Sequence, residues 1–296
     1  MTAAIGVALA AGGGAFGLTL HDAVHPATSP SPRIEAAAES SWPSVSAGPR
    51  RGDDVPPPGA ARTSAVPSPS PSEPSTPTNP AALPLAGRVV ALDPGHSPSG
   101  GSSHQVPDGR GGTKACNTSG TATDAGYPEH AFNYDVALRA QSLLEAQGAT
   151  VYLSRTDDPT AVVCVDERGI FAETSGAELL VSIHGDGNED RSVKGFFAIV
   201  SSPPLNDSQG QPSLDLAEAV LARLRAAGFT QNAAYAGGIS RRSDIAGVSL
   251  ATRPTVMFEL GEMRNPDEAA LMSSPDGRQR YAEAVALGIA DWLATH

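Results

Sequence analysis

The stretch Arg88-Val89-Val90-Ala91-Leu92-Asp93-Pro94-Gly95-His96 constrains this chain more than any other. A short, β-branched apolar run stops at Asp93-Pro94-Gly95, and a histidine follows at once. Apolar residues at successive positions, rather than alternate ones, describe a strand buried on both faces. Pro94 and Gly95 end that strand and turn the chain. In open α/β sheets, ligands collect in the crevice outside the carboxyl ends of the strands. His96 is therefore delivered to that edge on a rigid support. The pattern recurs at Leu179-Leu180-Val181-Ser182-Ile183, which is followed by His184-Gly185-Asp186-Gly187-Asn188.

Further segments repeat the strand and helix alternation. Phe132, Val136, Ala140 and Leu143 have helical spacing, with Pro128 in the first turn and Gly148 as the cap. Thr150–Ser154 reads as a strand, Asp166–Thr174 as a short helix and Gly195–Val200 as a strand. Ser213–Ala227 reads as a helix and Thr255–Leu260 as a strand, with helices over Asp267–Met272 and Asp276–Ala294. The segment from Ser97 to Tyr127 reads as one long loop, rich in Gly, Ser and Thr, and long loops in compact domains are commonly functional. Together these imply an α/β fold: a single mixed, mostly parallel twisted sheet with helices on both faces.

Composition separates the chain into parts. Residues 1–26 are apolar and small, and read as a signal-like or anchor segment, without a basic residue ahead of the run. Residues 27–84 are rich in Pro, Ser and Ala, too poor in branched aliphatics to offset ordering entropy, and read as a disordered spacer. Residues 85–296 are long enough to bury a full core. The net charge of -12 excludes nucleic acid as a partner. Nothing in the sequence sets an oligomeric state, and a monomer is the expectation.

Two histidines at equivalent strand ends point to a metal. Neutral imidazole suits zinc, and a carboxylate commonly completes a three-ligand set that leaves one position for water. Glu129 is a candidate, although a glutamate at a helix start also complements the helix dipole. Asp93, Asp124 and Asp186 compete with it. Glu259 lies inside an apolar strand, where a charge is costly unless paired or functional. It reads as a general base, or else as a core glutamate paired with Arg242 or Arg253. Gly-x-Ser-x-Gly and His-Glu-x-x-His are both absent.

At this point the motifs resemble those of the zinc-dependent N-acetylmuramoyl-L-alanine amidases of bacterial cell walls, especially small actinobacterial members. The resemblance runs from Arg88 to the C-terminus. It rests on Leu92-Asp93-Pro94-Gly95-His96, on Glu129 in Tyr127-Pro128-Glu129-His130, on Ser182-Ile183-His184, and on Val256-Met257-Phe258-Glu259-Leu260-Gly261. Arg168 resembles the arginine that the family keeps ahead of the Ser-Ile-His strand. Two positions depart from the pattern: Asp186-Gly187-Asn188 stands where many members have Ala-Asn, and Glu262 where Phe is usual.

The resemblance implies one Zn²⁺ per chain, with His96, Glu129 and His184 as metal ligands and Glu259 as the catalytic base. It implies an exported hydrolase, in a periplasm-like space or the cell wall, acting on peptidoglycan or muropeptides. The bond cut would join the lactyl group of N-acetylmuramic acid to L-alanine of the stem peptide. The apolar segment at 1–26 would allow membrane anchoring. Cys116 and Cys164 would form a disulfide in such a compartment, as related members also suggest. The competing readings are a metallocarboxypeptidase-like peptidase of wall peptides and a non-catalytic peptidoglycan-binding module. The first wants His and Glu ligands three residues apart, but Ser99 stands at that distance from His96.

Overall fold

The computed structural model describes residues 83–98, 103–158, 160 and 162–296. The signal-like segment 1–26 and almost all of the spacer 27–84 lie outside the described residues. Among the described residues no helix is long and apolar enough to cross a membrane.

The elements follow in the order β1 (Val89–Pro94), β2 (Gln105–Pro107), β3 (Thr113–Ala115), α1 (Glu129–Glu145), β4 (Thr150–Leu153), α2 (Val165–Gly169), α3 (Phe171–Ser175) and β5 (Leu179–Asp186). They continue with β6 (Phe197–Ser201), α4 (Gln211–Ala226), β7 (Ile239–Arg242), α5 (Ala246–Ser249), β8 (Thr255–Glu262), α6 (Pro266–Ser273) and α7 (Pro275–Leu293). One sheet has the order β4-β1-β5-β8-β6-β7. Its neighbours all run parallel except β6, which is antiparallel to β8.

The pleat sorts strand residues into two unequal layers, because side chains alternate between the faces. Val90, Leu92, Leu179, Val181, Ile183, Val256, Phe258 and Leu260 join one large core. Phe132, Val136 and Ala140 of α1 pack there, with Leu216, Val220 and Leu224 of α4 and Tyr281, Val285 and Ile289 of α7. Each large apolar side chain buried in this way stabilises the fold by about 1.5–3 kcal/mol. The alternate strand positions meet much less. Ala91 and Leu180 form a small cluster with Ala172 and Ala177. Further along the same face the residues become polar: Asp93, Ser182, His184 and Glu259. Among the described residues, the short helices α2, α3 and α5 and the β2–β3 hairpin flank this side, and a pocket opens there.

Several boundaries differ from the sequence expectation. The long loop contains the hairpin of β2 and β3, whose three-residue strands are too short to leave a periodic signal. The helix expected over Asp166–Thr174 is two helices, interrupted at Ile170 with φ -95° and ψ 5°. Gly169 packs so closely on α5 that an added Cβ would lie 2.8 Å from that of Leu250. Pro128 is the cap residue before α1 and not part of its first turn, and α1 ends at Glu145, short of Gly148. β5 continues through His184, so that histidine belongs to the strand itself. β7 and α5 carry no apolar periodicity that would have announced them.

Cys116 and Cys164 form the expected disulfide, with a sequence separation of 48. It ties the end of the hairpin to the start of α2, where Val165 N also donates to Cys116 O at 2.8 Å. In the chain-entropy account a closed loop of this length stabilises by about 3–4 kcal/mol. The Cys116→Ser, Cys164→Ser variant is expected to unfold at lower urea concentration by that free energy. Adding reductant to the wild type should produce the same loss, and an unchanged midpoint would show that the bridge carries no stability.

Candidate metal centre

His96, Glu129 and His184 come from three separate segments and converge. One donor atom from each lies within 4.8 Å of the others. His96 Nε2 is 3.2 Å from Glu129 Oε1, and His184 Nδ1 is 3.1 Å from the same oxygen. His96 Nδ1 lies 2.8 Å from the Thr118 carbonyl oxygen. That oxygen can only accept, so Nδ1 carries the ring proton and Nε2 presents a lone pair. The lone pair faces a carboxylate, an arrangement that is stable only with a proton or a cation between the two. Two imidazoles and one carboxylate are a donor set that zinc takes in catalytic sites, so the residues fit such an ion.

The convergence depends on local backbone. His96 adopts φ 60°, a left-handed conformation unusual for a side chain with Cβ. The His184 ring lies directly over Gly95, where a Cβ would stand 2.1 Å from the ring. Glu129, in the first turn of α1, has both oxygens engaged. Oε2 accepts from Thr121 N at 2.9 Å, and Oε1 from Asn133 Nδ2 and Gly185 N, each at 3.2 Å. Burial alone would raise the Glu129 carboxyl, but hydrogen bonds from His184 and His96 outweigh it and hold the group well below the ordinary carboxylate range. Burial opposes the charged form of His96, yet Glu129 wins and its pKa rises. His184 is deeper; burial dominates there and its pKa falls, which favours the neutral, ligating form.

Two buried arginines brace the turn that carries His96. Arg168 donates to Asp93 Oδ1 at 2.5 Å, to Pro94 O at 2.8 Å and to His96 O at 2.8 Å. Arg155 donates to Pro94 O at 2.9 Å and to His130 O at 2.7 Å. Arg168 is the residue singled out by resemblance. Arg155 gave no signal in the sequence, because its role depends on a strand end folding back beside the turn. Asp93, one of the rival ligands, is the counter-charge of Arg168 and also accepts from Ser154 and Ser182. Asp124 is exposed and pairs with Arg191 and Arg264. Asp186 lines the pocket but is not one of the three converging donors.

Glu259 is the register partner of His184 on adjacent strands, so both side chains reach the same face. The expected salt-bridge partners are taken elsewhere: Arg253 pairs with Glu173 and Arg242 with Asp244. Glu259 Oε2 is shielded from solvent and has no hydrogen-bond partner. Burial first, then the charges of Glu129, Asp186 and Glu262, push the Glu259 carboxyl well above its ordinary range. The cavity beside it has a volume of about 400 Å³ and is bounded by His96, His184, Glu259, Phe197, Met257 and Tyr235 among others. The two departures from the family pattern are linked to each other. Glu262 Oε1 accepts from Asn188 N at 2.7 Å and from Arg264 N at 3.1 Å.

Fold and site together define an α/β domain with a His–Glu–His group suited to a metal ion and a separate carboxylate held at the same pocket. Residues 90–291 match the N-acetylmuramoyl-L-alanine amidase family. The chain is 44% identical over 225 residues to the N-acetylmuramoyl-L-alanine amidase Rv3717 of Mycobacterium tuberculosis, covering 75% of this chain and 90% of that protein. The structure is similar to the crystal structure of the N-acetylmuramyl-L-alanine amidase Ami1 from Mycobacterium smegmatis, with 46% identity, a TM-score of 0.70, and coverage of 72% and 99% of the two chains. It is also similar to the apo form of Ami1 from Mycobacterium abscessus, with 44% identity, a TM-score of 0.68, and coverage of 71% and 100%. The chain belongs to the N-acetylmuramoyl-L-alanine amidase family.

The Asp93–Arg168 pair makes a pH-dependent contribution to stability. Burial opposes ionisation of Asp93, but Arg168, Ser154 and Ser182 lower its pKa from 3.8 to about 2. A carboxyl with a depressed folded pKa stabilises fully above its unfolded value and loses that contribution as pH falls through the folded one. The loss is therefore expected between about pH 4 and pH 2, and amounts to about 2 kcal/mol. Urea unfolding across that range should show a shallower acid slope for Asp93→Asn than for the wild type. Parallel slopes would remove Asp93 from the acid response.

Proposed function

We propose that this enzyme hydrolyses the amide between the lactyl group of N-acetylmuramic acid and L-alanine of the stem peptide, with zinc held by His96, Glu129 and His184 and with Glu259 as the acid–base group. The observation that carries this reading is Glu259 Oε2: a buried carboxylate oxygen without a partner, beside three converging metal donors.

Zinc bound there supplies Lewis acidity, which polarises an amide carbonyl and lowers the pKa of water. The residues of the chain do the rest. His96 and His184 offer ring nitrogens, and Thr118 fixes the tautomer of His96 through its carbonyl. Glu259 takes a proton from the attacking water at Oε2 and passes it to the departing alanine nitrogen. The acyl carbon gains the hydroxyl and loses the amine, so the products are a lactyl carboxylate on the glycan and a stem peptide with a free α-amino group. The pocket wall of Phe197, Ile199 and Met257 excludes water from the apolar part of the substrate.

A non-catalytic wall-binding module would not need Glu259 held unpaired in the pocket. A substrate of this kind lies outside the cytoplasm. The reading therefore includes export through the segment at 1–26 and use of 27–84 as a spacer within the wall.

Glu259→Gln is expected to reduce turnover of muropeptides by about 10²–10⁴-fold while one zinc per chain is retained by elemental analysis. His184→Ala should lose the zinc. Mass spectrometry of wild-type products should find intact stem peptide with a free L-alanine amino terminus. Release of a single terminal D-amino acid would mean a carboxypeptidase.

A further inference from the structure

The acids around Glu129 and Glu259 occupy one end of the pocket, yet its lining also includes three cations, of which Arg168 is spent on buried Asp93 while Arg242 and Lys114 remain. The chain has 20 Lys and Arg against 32 Asp and Glu, so a pair of cations at one mouth is not a reflection of composition. Both are anchored by a single residue. The Asp244 carboxylate accepts from Arg242 Nε at 2.7 Å and from Arg242 Nη2 at 2.6 Å. The Asp244 backbone carbonyl accepts from Lys114 Nζ. This clamp uses one edge of the guanidinium and leaves Nη1 out of the pairing. It also joins the β3 side of the pocket to the turn after β7.

Resting on the amidase reading above, we propose that Arg242 and Lys114 form a carboxylate-binding subsite for the stem peptide, one that selects a free α-carboxyl on the residue after L-alanine. The sheet gives the spacing. Arg242 pairs with Ser201 on β6, and Phe197 at the other end of β6 pairs with Glu259. Backbone to backbone, this is about 10 Å across two strand spacings and about 13 Å along the strands. The long arginine side chain closes much of that distance, and its charge is felt by both Glu259 and Asp186. From the scissile carbonyl, a chain of two residues reaches about 7 Å. The second residue therefore brings its α-carboxyl toward the cations while the first lies along Phe197 and Tyr235, whose rings pack 4.3 Å apart. A guanidinium with a free edge and an ammonium beside it suit a carboxylate, and an amide in its place forfeits the charge-assisted bonds.

The test compares two soluble substrates that differ in one group: N-acetylmuramyl-L-alanyl-D-isoglutamate and its α-amide, the isoglutamine form. The zinc-loaded wild type is expected to show a KM at least about 10-fold lower for the acid, with similar kcat. In the Glu259→Gln background, calorimetry should give the same order of binding. Arg242→Gln with Lys114→Gln should bring the ratio of the two KM values close to one, and Arg242→Lys should leave part of it. Equal KM values in the wild type, or preference for the amide, overturn the subsite while leaving the amidase reading intact. A preference that survives in the double variant also overturns it. If neither compound is cleaved or bound but larger muropeptides are cleaved at the lactyl amide, the subsite at the second residue is likewise rejected. If none is cleaved there, the amidase reading itself fails.

Discussion

His96 occupies a left-handed backbone conformation, φ 60°, that costs about 1–2 kcal/mol for a residue with Cβ. It persists because the carbonyls around it are held. Arg168 takes the carbonyls of Pro94 and His96, and Arg155 takes that of Pro94 from another direction. A carbonyl in a turn like this cannot join the sheet ladder, and burial denies it water, so it needs a donor. Two guanidiniums provide several donors in fixed planes. Asp93 supplies the charge that lets Arg168 stay buried. Such a pair adds little net stability over an apolar replacement, but removing one partner leaves an uncompensated charge. Its effect is to select one backbone path. Without that path, His96 does not reach Glu129 and the pocket loses its geometry.

The unequal faces of the sheet explain why the site forms where it does. The layer under α1, α4 and α7 is packed with branched and aromatic side chains and resists displacement. The opposite layer has short helices and alanines, leaving space above the strand ends. The rigid layer positions the groups, and the thin layer leaves room for the pocket. His184 and Glu259 are register partners on the central strands β5 and β8, so their separation is set by sheet geometry and not by loop conformation. A separation set by paired strands varies little, because the ladder fixes the spacing of the backbones.

The sequence carried the elements that repeat a simple rule. Buried strands showed as unbroken apolar runs, α1, α4 and α7 as helical spacing, and His96 and His184 as residues set at strand ends. Glu259 stood out because a charge within an apolar run needs a reason. Glu129 was ambiguous on its own, since a helix-start glutamate already has an electrostatic use. The resemblance favours ligation, and in the structure the Glu129 carboxylate lies against both imidazoles. What stayed hidden depends on distant segments meeting. Arg155 looks like any loop arginine until the turn at Pro94 is beside it. Thr118 contributes only a backbone carbonyl. The β2–β3 hairpin is too short for a period to show, and the clamp made by Asp244 unites residues from β3 and β7 that no local pattern connects.

Electrostatics links these features. An enzyme with net charge -12 repels any anionic substrate at long range. At physiological salt the screening length is about 8 Å, so this repulsion fades and groups within one or two side-chain lengths decide recognition. Within that distance the pocket is divided. Carboxylates gather where a metal ion would be held, at Glu129 and Glu259. Two cations of the lining, Arg242 and Lys114, meet at Asp244, while the third, Arg168, is spent on Asp93. The reversal of direction between β8 and β6 makes that division possible, since it sends the far end of β6 and its parallel neighbour β7 away from the acids. Had β6 run parallel to β8, Arg242 would have been carried toward the metal end.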